Sequence, residues 1–191
     1  MFQYFLEGIA HITDFEGYDH MLYLAALCAP YALRHVKLVV LLATAFTVGH
    51  SLALFLAATD VIRFRSDMIE TLIPLTIIVT CLLSILQIRK NNHAGWMQYA
   101  VTTIFGLIHG MGFSSYFRMI SNESGEFIQS LLLFNLGVEA GQLVIVAVLL
   151  AFASLVIQVF RLTDQKKYSV ILSVLVIIVA SRLFIGKILD Q

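Results

Sequence analysis

Six apolar stretches, roughly 19–33, 37–59, 68–88, 98–118, 127–157 and 169–187, take up most of this chain of 191 residues. A stretch of about 20 apolar residues crosses a bilayer core of about 30 Å as a helix. The expected fold is therefore all-α, a polytopic membrane helix bundle of about six transmembrane helices forming a single transmembrane domain over residues 1–191. Composition agrees: 60% of residues are hydrophobic and 13% charged, against roughly half and about a quarter in a soluble domain. Almost nothing is left over for a soluble domain.

The start, "MFQYFLEGIAHITDF", has no basic n-region and no small-residue cleavage site, so it is not read as a removable signal peptide. Phe2, Phe5, Leu6 and Ile9 recur at helical spacing and predict a short interfacial or re-entrant helix with one face on lipid or on the bundle. The fifth stretch has about 30 apolar-rich residues, more than one crossing needs, and must tilt, kink or protrude.

Charges sort by loop. Arg34 and Lys37, then Arg89 and Lys90, then Arg161, Lys166 and Lys167 flank alternate ends of the stretches. The other ends are mixed: Asp60 and Asp67 accompany Arg63 and Arg65, and Glu123 and Glu126 accompany Arg118. The N-terminal stretch carries Glu7, Asp14, Glu16 and Asp19 with no Lys or Arg. The excess of cations marks the cytoplasmic side, so both termini are expected outside. Cys28 and Cys81 lie in apolar segments without a CxxC and read as packing residues. Formal net charge is zero, which gives no reason to propose a nucleic-acid partner.

Ionisable side chains at membrane depth cost roughly 3 kcal/mol or more each on insertion scales, so they face the bundle interior and are functional candidates. His50 within "TAFTVGHSLAL", His109 within "FGLIHGMGF" and Glu139 within "FNLGVEAGQL" sit deep in the second, fourth and fifth stretches. Asn135, Glu139 and Gln142 fall on one helical face. Gly106 and Gly110 form a GxxxG that lets another backbone approach beside His109. At the mouth of the first stretch stands the pair Asp19-His20.

Neutral imidazole suits Zn, Cu, Ni and Fe, and a carboxylate completes mixed sites. These residues therefore read as a constellation for a divalent transition-metal ion (Ni, Zn, Co, Cu or Fe). An ion between Asp19 and Glu139 is formally neutral, which matters in a low dielectric. His35 and His93 lie among basic loop residues and read as solvated, as do Asp14 and Glu16. Ser51 adjoins His50, but successive helical residues point in different directions and make no catalytic dyad.

Taken in order, "HITDFEGYDHMLYL", "TAFTVGHSLAL", "ETLIPLTI", "FGLIHGMGF" and "FNLGVEAGQL" resemble the HupE/UreJ family of small bacterial membrane proteins, regarded as nickel or related metal permeases, and the second group of that family in particular. The resemblance covers most of the chain. It implies the bacterial inner (plasma) membrane and metal handling through His11, Asp19, His20, His50, His109 and Glu139. The interval from His11 to Asp19 is about two residues longer than the compact H-I-x-x-G-x-D-H form of the family.

The expected function is a permease that takes a metal ion from outside, with the ion and the lipid bilayer as its partners. The alternative is an intramembrane zinc-dependent hydrolase using the same residues, although the chain has no HExxH. A third reading is a metal sensor or accessory subunit whose histidines pack the bundle. An oligomer is compatible with the sequence, which sets no stoichiometry.

Overall fold

The computed structural model describes residues 2–14, 17–59, 65–90, 95–122, 127–161 and 163–189. Glu16, Asp60, Arg63, His93, Glu123 and Glu126, named above, lie outside the described residues. Among those described, the chain is all-helical: α1 (Phe2–Thr13), α2 (Asp19–Cys28), α3 (Val36–Ala58), α4 (Ser66–Lys90), α5 (Trp96–Asn122), α6 (Phe127–Ser154) and α7 (Gln165–Leu189). A 3₁₀ turn, Leu33–His35, leads into α3, and a π turn, Leu155–Val159, extends α6.

Among the described residues, four segments are long and apolar enough to cross a membrane: Leu33–Ala57, Ser66–Arg89, Phe127–Val159 and Gln165–Leu189. α5 is as long, with 27 residues, but its inner face is diluted by Thr102, Thr103, His109 and three glycines. The long fifth stretch ends in the π turn, closed by the Phe160 N–H donating to Leu155 O at 2.9 Å. Arg161 then turns the chain at a φ of 50°. Asp164 starts α7 as its cap, accepting the Lys167 N–H at 2.8 Å, the role for which a short acidic side chain is favoured.

The first apolar stretch is not one continuous helix. α2 has ten residues, about 15 Å at 1.5 Å per residue, half of a bilayer core. Pro30 ends it, because proline lacks the N–H to continue and disfavours helix in the residue before it. Seven of its ten residues are buried, as befits a short helix inside the bundle rather than one against lipid.

The direction of each helix follows from its contacts. A Cβ added to Gly49 would meet the Thr103 carbonyl, one on Gly106 the Phe46 carbonyl, and one on Gly110 the His50 carbonyl. Contacts on α3 and α5 thus rise together, and the two helices run parallel with their backbones touching. The sequence GxxxG has α3 as its partner. Ile73 faces Gly112 and Thr76 faces His109, so α4 runs against α5, while Thr44–Glu139 and His50–Asn135 pairs set α6 against α3.

α1 lies along α6 in the same sense. Gly8 meets the backbone of Phe134 and Val138, Gly137 that of Phe5 and Ile9, and Gly141 the side chain of Ile12. α2 runs in the sense of α4, since the Ala26 carbonyl accepts from Ser84 at 2.8 Å and Tyr31 meets Gln87. α1 and α2 are therefore two half-length helices pointing the same way, with the break between them at the depth where His109 and His50 arrive.

Candidate metal centre

The break brings the polar residues of the N-terminal segment inside the bundle. Asp19 opens α2, where the helix dipole favours a carboxylate, and its Oδ1 accepts the His20 N–H at 2.8 Å. Around it the imidazoles gather. Ring centroids are 4.6 Å apart for His11 and His20, 5.1 Å for His20 and His109, 5.6 Å for His11 and His50, and 6.0 Å for His20 and His50. His20, His50 and His109 are buried.

Two overlapping triads result, His11–His20–His50 and Asp19–His20–His109, in each of which one ligand atom per residue lies within 4.8 Å of the others. Two ligand atoms each about 2.1 Å from a shared ion are at most about 4.2 Å apart, so small side-chain adjustments close either triad on a metal. His20 belongs to both.

The hydrogen bonds around the cluster assign a tautomer to three of the rings. His20 Nδ1 lies 2.9 Å from Asp19 Oδ1, a carboxylate acceptor, so Nδ1–H donates and Nε2 keeps its lone pair. His50 Nδ1 lies 3.4 Å from Asn135 Oδ1. The amide of Asn135 is oriented by donating to Leu131 O at 2.8 Å, so its oxygen faces His50 and Nε2 of that ring is again the free nitrogen.

Thr76 Oγ1 donates to Ile73 O at 2.7 Å and sits 2.9 Å from His109 Nε2, so Nε2–H donates and Nδ1 is free. The nitrogens left over, Nε2 of His20 and His50 and Nδ1 of His109, together with His11 Nε2, are buried with no hydrogen-bond partner among the described residues. Four orphaned nitrogens in one cluster are costly unless something binds them. An outer partner that pins the second ring nitrogen is the usual setting of a metal-ligating histidine.

A cavity of about 320 Å³ reaches the cluster from the end of the bundle where α4 begins, lined by His11, Asp14, Asp19, His20, Glu70, His109 and Lys187 among others. At about 30 Å³ per water, it accommodates an ion with its hydration shell. Glu70 and Lys187 pair across the mouth at 2.7 Å, joining α4 to α7. Pro74 stands one turn below, leaving the Glu70 carbonyl without its helical donor.

Of the six residues read from the sequence, the structure gathers His11, Asp19, His20, His50 and His109. Glu139 stands apart from both triads: its Oε1 accepts Thr44 Oγ1 at 2.6 Å, and its Oε2 is buried without a partner among the described residues. Gln142, on the same face of α6, meets Thr47 at 2.9 Å. Asp14 lines the cavity. His35 accepts the Ala32 N–H at 3.2 Å within its own turn and is half-buried. Ser51 donates to Thr47 O at 2.7 Å.

Thr76 and Glu70 do not stand out in the sequence reading. An acid four residues before a proline inside an apolar stretch is a signal for Glu70; a threonine in a membrane helix carries none. Thr76→Val keeps shape and removes the acceptor of His109 Nε2–H. Metal affinity should fall about 10- to 100-fold, as for other lost outer partners, with thermal stability in detergent little changed; equilibrium binding of Co²⁺ followed by absorbance measures it.

The described residues present a helical bundle with membrane-type spans and a His/Asp cluster whose geometry could hold a metal ion. The family model described as HupE / UreJ protein matches residues 1–187, and the chain belongs to that family, whose members are membrane proteins related to metal, notably nickel, transport. No curated protein and no solved structure matches the chain.

Proposed function

We propose that this protein is a permease for a divalent transition-metal ion of the nickel class, and that His11, Asp19, His20, His50 and His109 bind the ion in transit. The observation that carries this reading is the set of buried lone pairs on His20, His50 and His109, each turned inward by a fixed acceptor on the opposite ring nitrogen. α1 and α2 act together as one broken crossing of about 33 Å, which with α3 to α7 makes six passes.

Discontinuous helices place polar groups at the midplane in many transporters. The basic residues Arg34, Lys37, Arg89, Arg161, Lys166 and Lys167 all fall at the end of the bundle away from the cavity, which by the positive-inside rule faces the cytoplasm. The cavity then opens outward, and both termini lie outside the plasma membrane.

The ion enters hydrated and exchanges water for the side chains of the two triads, which share His20. Glu139, one turn of α6 beyond Asn135, supplies the second negative charge that offsets the ion in a low dielectric.

Proteoliposomes enclosing a metal-sensitive dye test the reading. Uptake of Ni²⁺ or Co²⁺ is expected, and His50→Ala or Glu139→Gln should abolish it. Absence of uptake for Ni, Co, Zn, Cu, Fe and Mn overturns transport, and a tightly held zinc that does not exchange favours a hydrolase instead.

A further inference from the structure

The cavity described above reaches the candidate metal centre from the end of the bundle where α4 begins, and a permease needs a way out. Resting on the transport reading, we infer that the ion leaves along a track of neutral oxygen donors on α4, walled by α2 and α7. Thr76, Thr80, Ser84 and Gln87 follow one another at four, four and three residues, so they share one helical face and cover about 16 Å from His109 toward the far end. Thr76, Thr80 and Ser84 are buried.

The polarity of this face suits a cation. Thr76 donates to Ile73 O at 2.7 Å, Thr80 to Thr76 O at 2.8 Å and Ser84 to Ala26 O at 2.8 Å. Each hydroxyl proton is committed to a carbonyl; one lone pair of Thr76 accepts from His109, and the remaining lone pairs are open to a passing ion.

A second, independent observation comes from α7. Its buried face is Ser169, Ser173, Val176 and Ala180, and the hydroxyls of Ser169 and Ser173, both fully buried, have no partner among the described residues. α7 runs against α4 from the Glu70–Lys187 pair onward, which puts Ser173 level with Ser84. At the far end Tyr31 closes the track, donating to Gln98 Oε1 at 3.1 Å and accepting from Gln87 Nε2 at 2.9 Å.

The other polar row, Thr47–Gln142 and Thr44–Glu139 between α3 and α6, ends at Thr44 on the exposed side of the bundle. It does not reach the far end.

Single cysteines at Thr80, Ser84 and Ser173, on a Cys28→Ala, Cys81→Ala background, test the track with a charged methanethiosulfonate reagent added to either side of sealed vesicles during turnover. Ser84→Cys and Ser173→Cys should react from the side opposite to Tyr18→Cys, and Ni²⁺ should slow that reaction. Leu83→Cys, on the exposed face of α4, should not react from either side. In parallel, Thr80→Val with Ser84→Ala should cut uptake about tenfold or more, the size of a lost polar contact to a charge, with equilibrium Ni²⁺ binding unchanged.

Cysteines that stay unreactive in a protein that transports, or that react with no effect of Ni²⁺, overturn the track. Failure of uptake in the unsubstituted protein overturns the transport reading instead, and the cysteine reactivity is read without it.

Discussion

His20→Ala is expected to abolish stoichiometric metal binding, whereas His11→Ala and His109→Ala should each leave a measurable remnant. The asymmetry follows from the overlap of the two triads. Removing His11 spares Asp19–His20–His109, and removing His109 spares His11–His20–His50. Removing His20 leaves neither, and it also strips Asp19 Oδ1 of the imidazole N–H at 2.9 Å, so a half-buried carboxylate keeps only the backbone N–H of residue 20. Affinity should drop by more than about a hundredfold, beyond the range for a lost outer partner.

Asp19→Asn separates the two contributions. An asparagine oxygen still accepts from His20 Nδ1 and holds the tautomer, but its charge is gone, so binding weakens while selectivity among Ni²⁺, Co²⁺ and Zn²⁺ is kept. Titration of the purified variants by calorimetry, with elemental analysis of each, reads both effects. Equal losses for all three histidines would refute the shared-ligand arrangement.

The long helices are legible in the sequence because hydropathy and length are properties of a stretch. α3 to α7 fall in the second to sixth apolar stretches, although α5 is less apolar than the other four long segments. The first stretch misleads for the same reason. Beyond Asp19 and His20 the stretch to residue 33 is mostly apolar, but apolarity does not report helical continuity, and Gly17 and Pro30 are the punctuation that brackets α2.

The histidines are legible because an imidazole at membrane depth is expensive. Their partners are not. A threonine in a membrane helix ordinarily satisfies itself on a carbonyl one turn back, so nothing marks Thr76 as the residue that sets the tautomer of His109. The stripe Asn135, Glu139 and Gln142 does share one face of α6, but a shared face does not fix which member meets which partner. α3 runs against α6, so Asn135 reaches His50 while Glu139 is carried to Thr44.

The largest structural effect is expected from a few added carbons on α5. Gly106→Val should leave little folded protein, because the new Cβ runs into the Phe46 carbonyl and backbone of α3 rather than into a side chain that swings aside. Overpacking a core by a few atoms costs about 1–3 kcal/mol when side chains yield, and here the only relief is to push apart a pair of parallel helices that also touch at Gly49 and Gly110. The penalty should sit at or above the top of that range.

Gly186→Ala supplies the control, since a Cβ there meets nothing within 4 Å among the described residues and alanine gains about 1 kcal/mol of helix propensity over glycine. Thermal unfolding in detergent should rank Gly186→Ala at or above the unsubstituted protein and Gly106→Val far below both. The chemistry follows the packing. His50 and His109 stand on the two helices that this contact holds together, so any Gly106→Val protein that survives purification should bind added metal weakly or not at all even with every proposed ligand still in place.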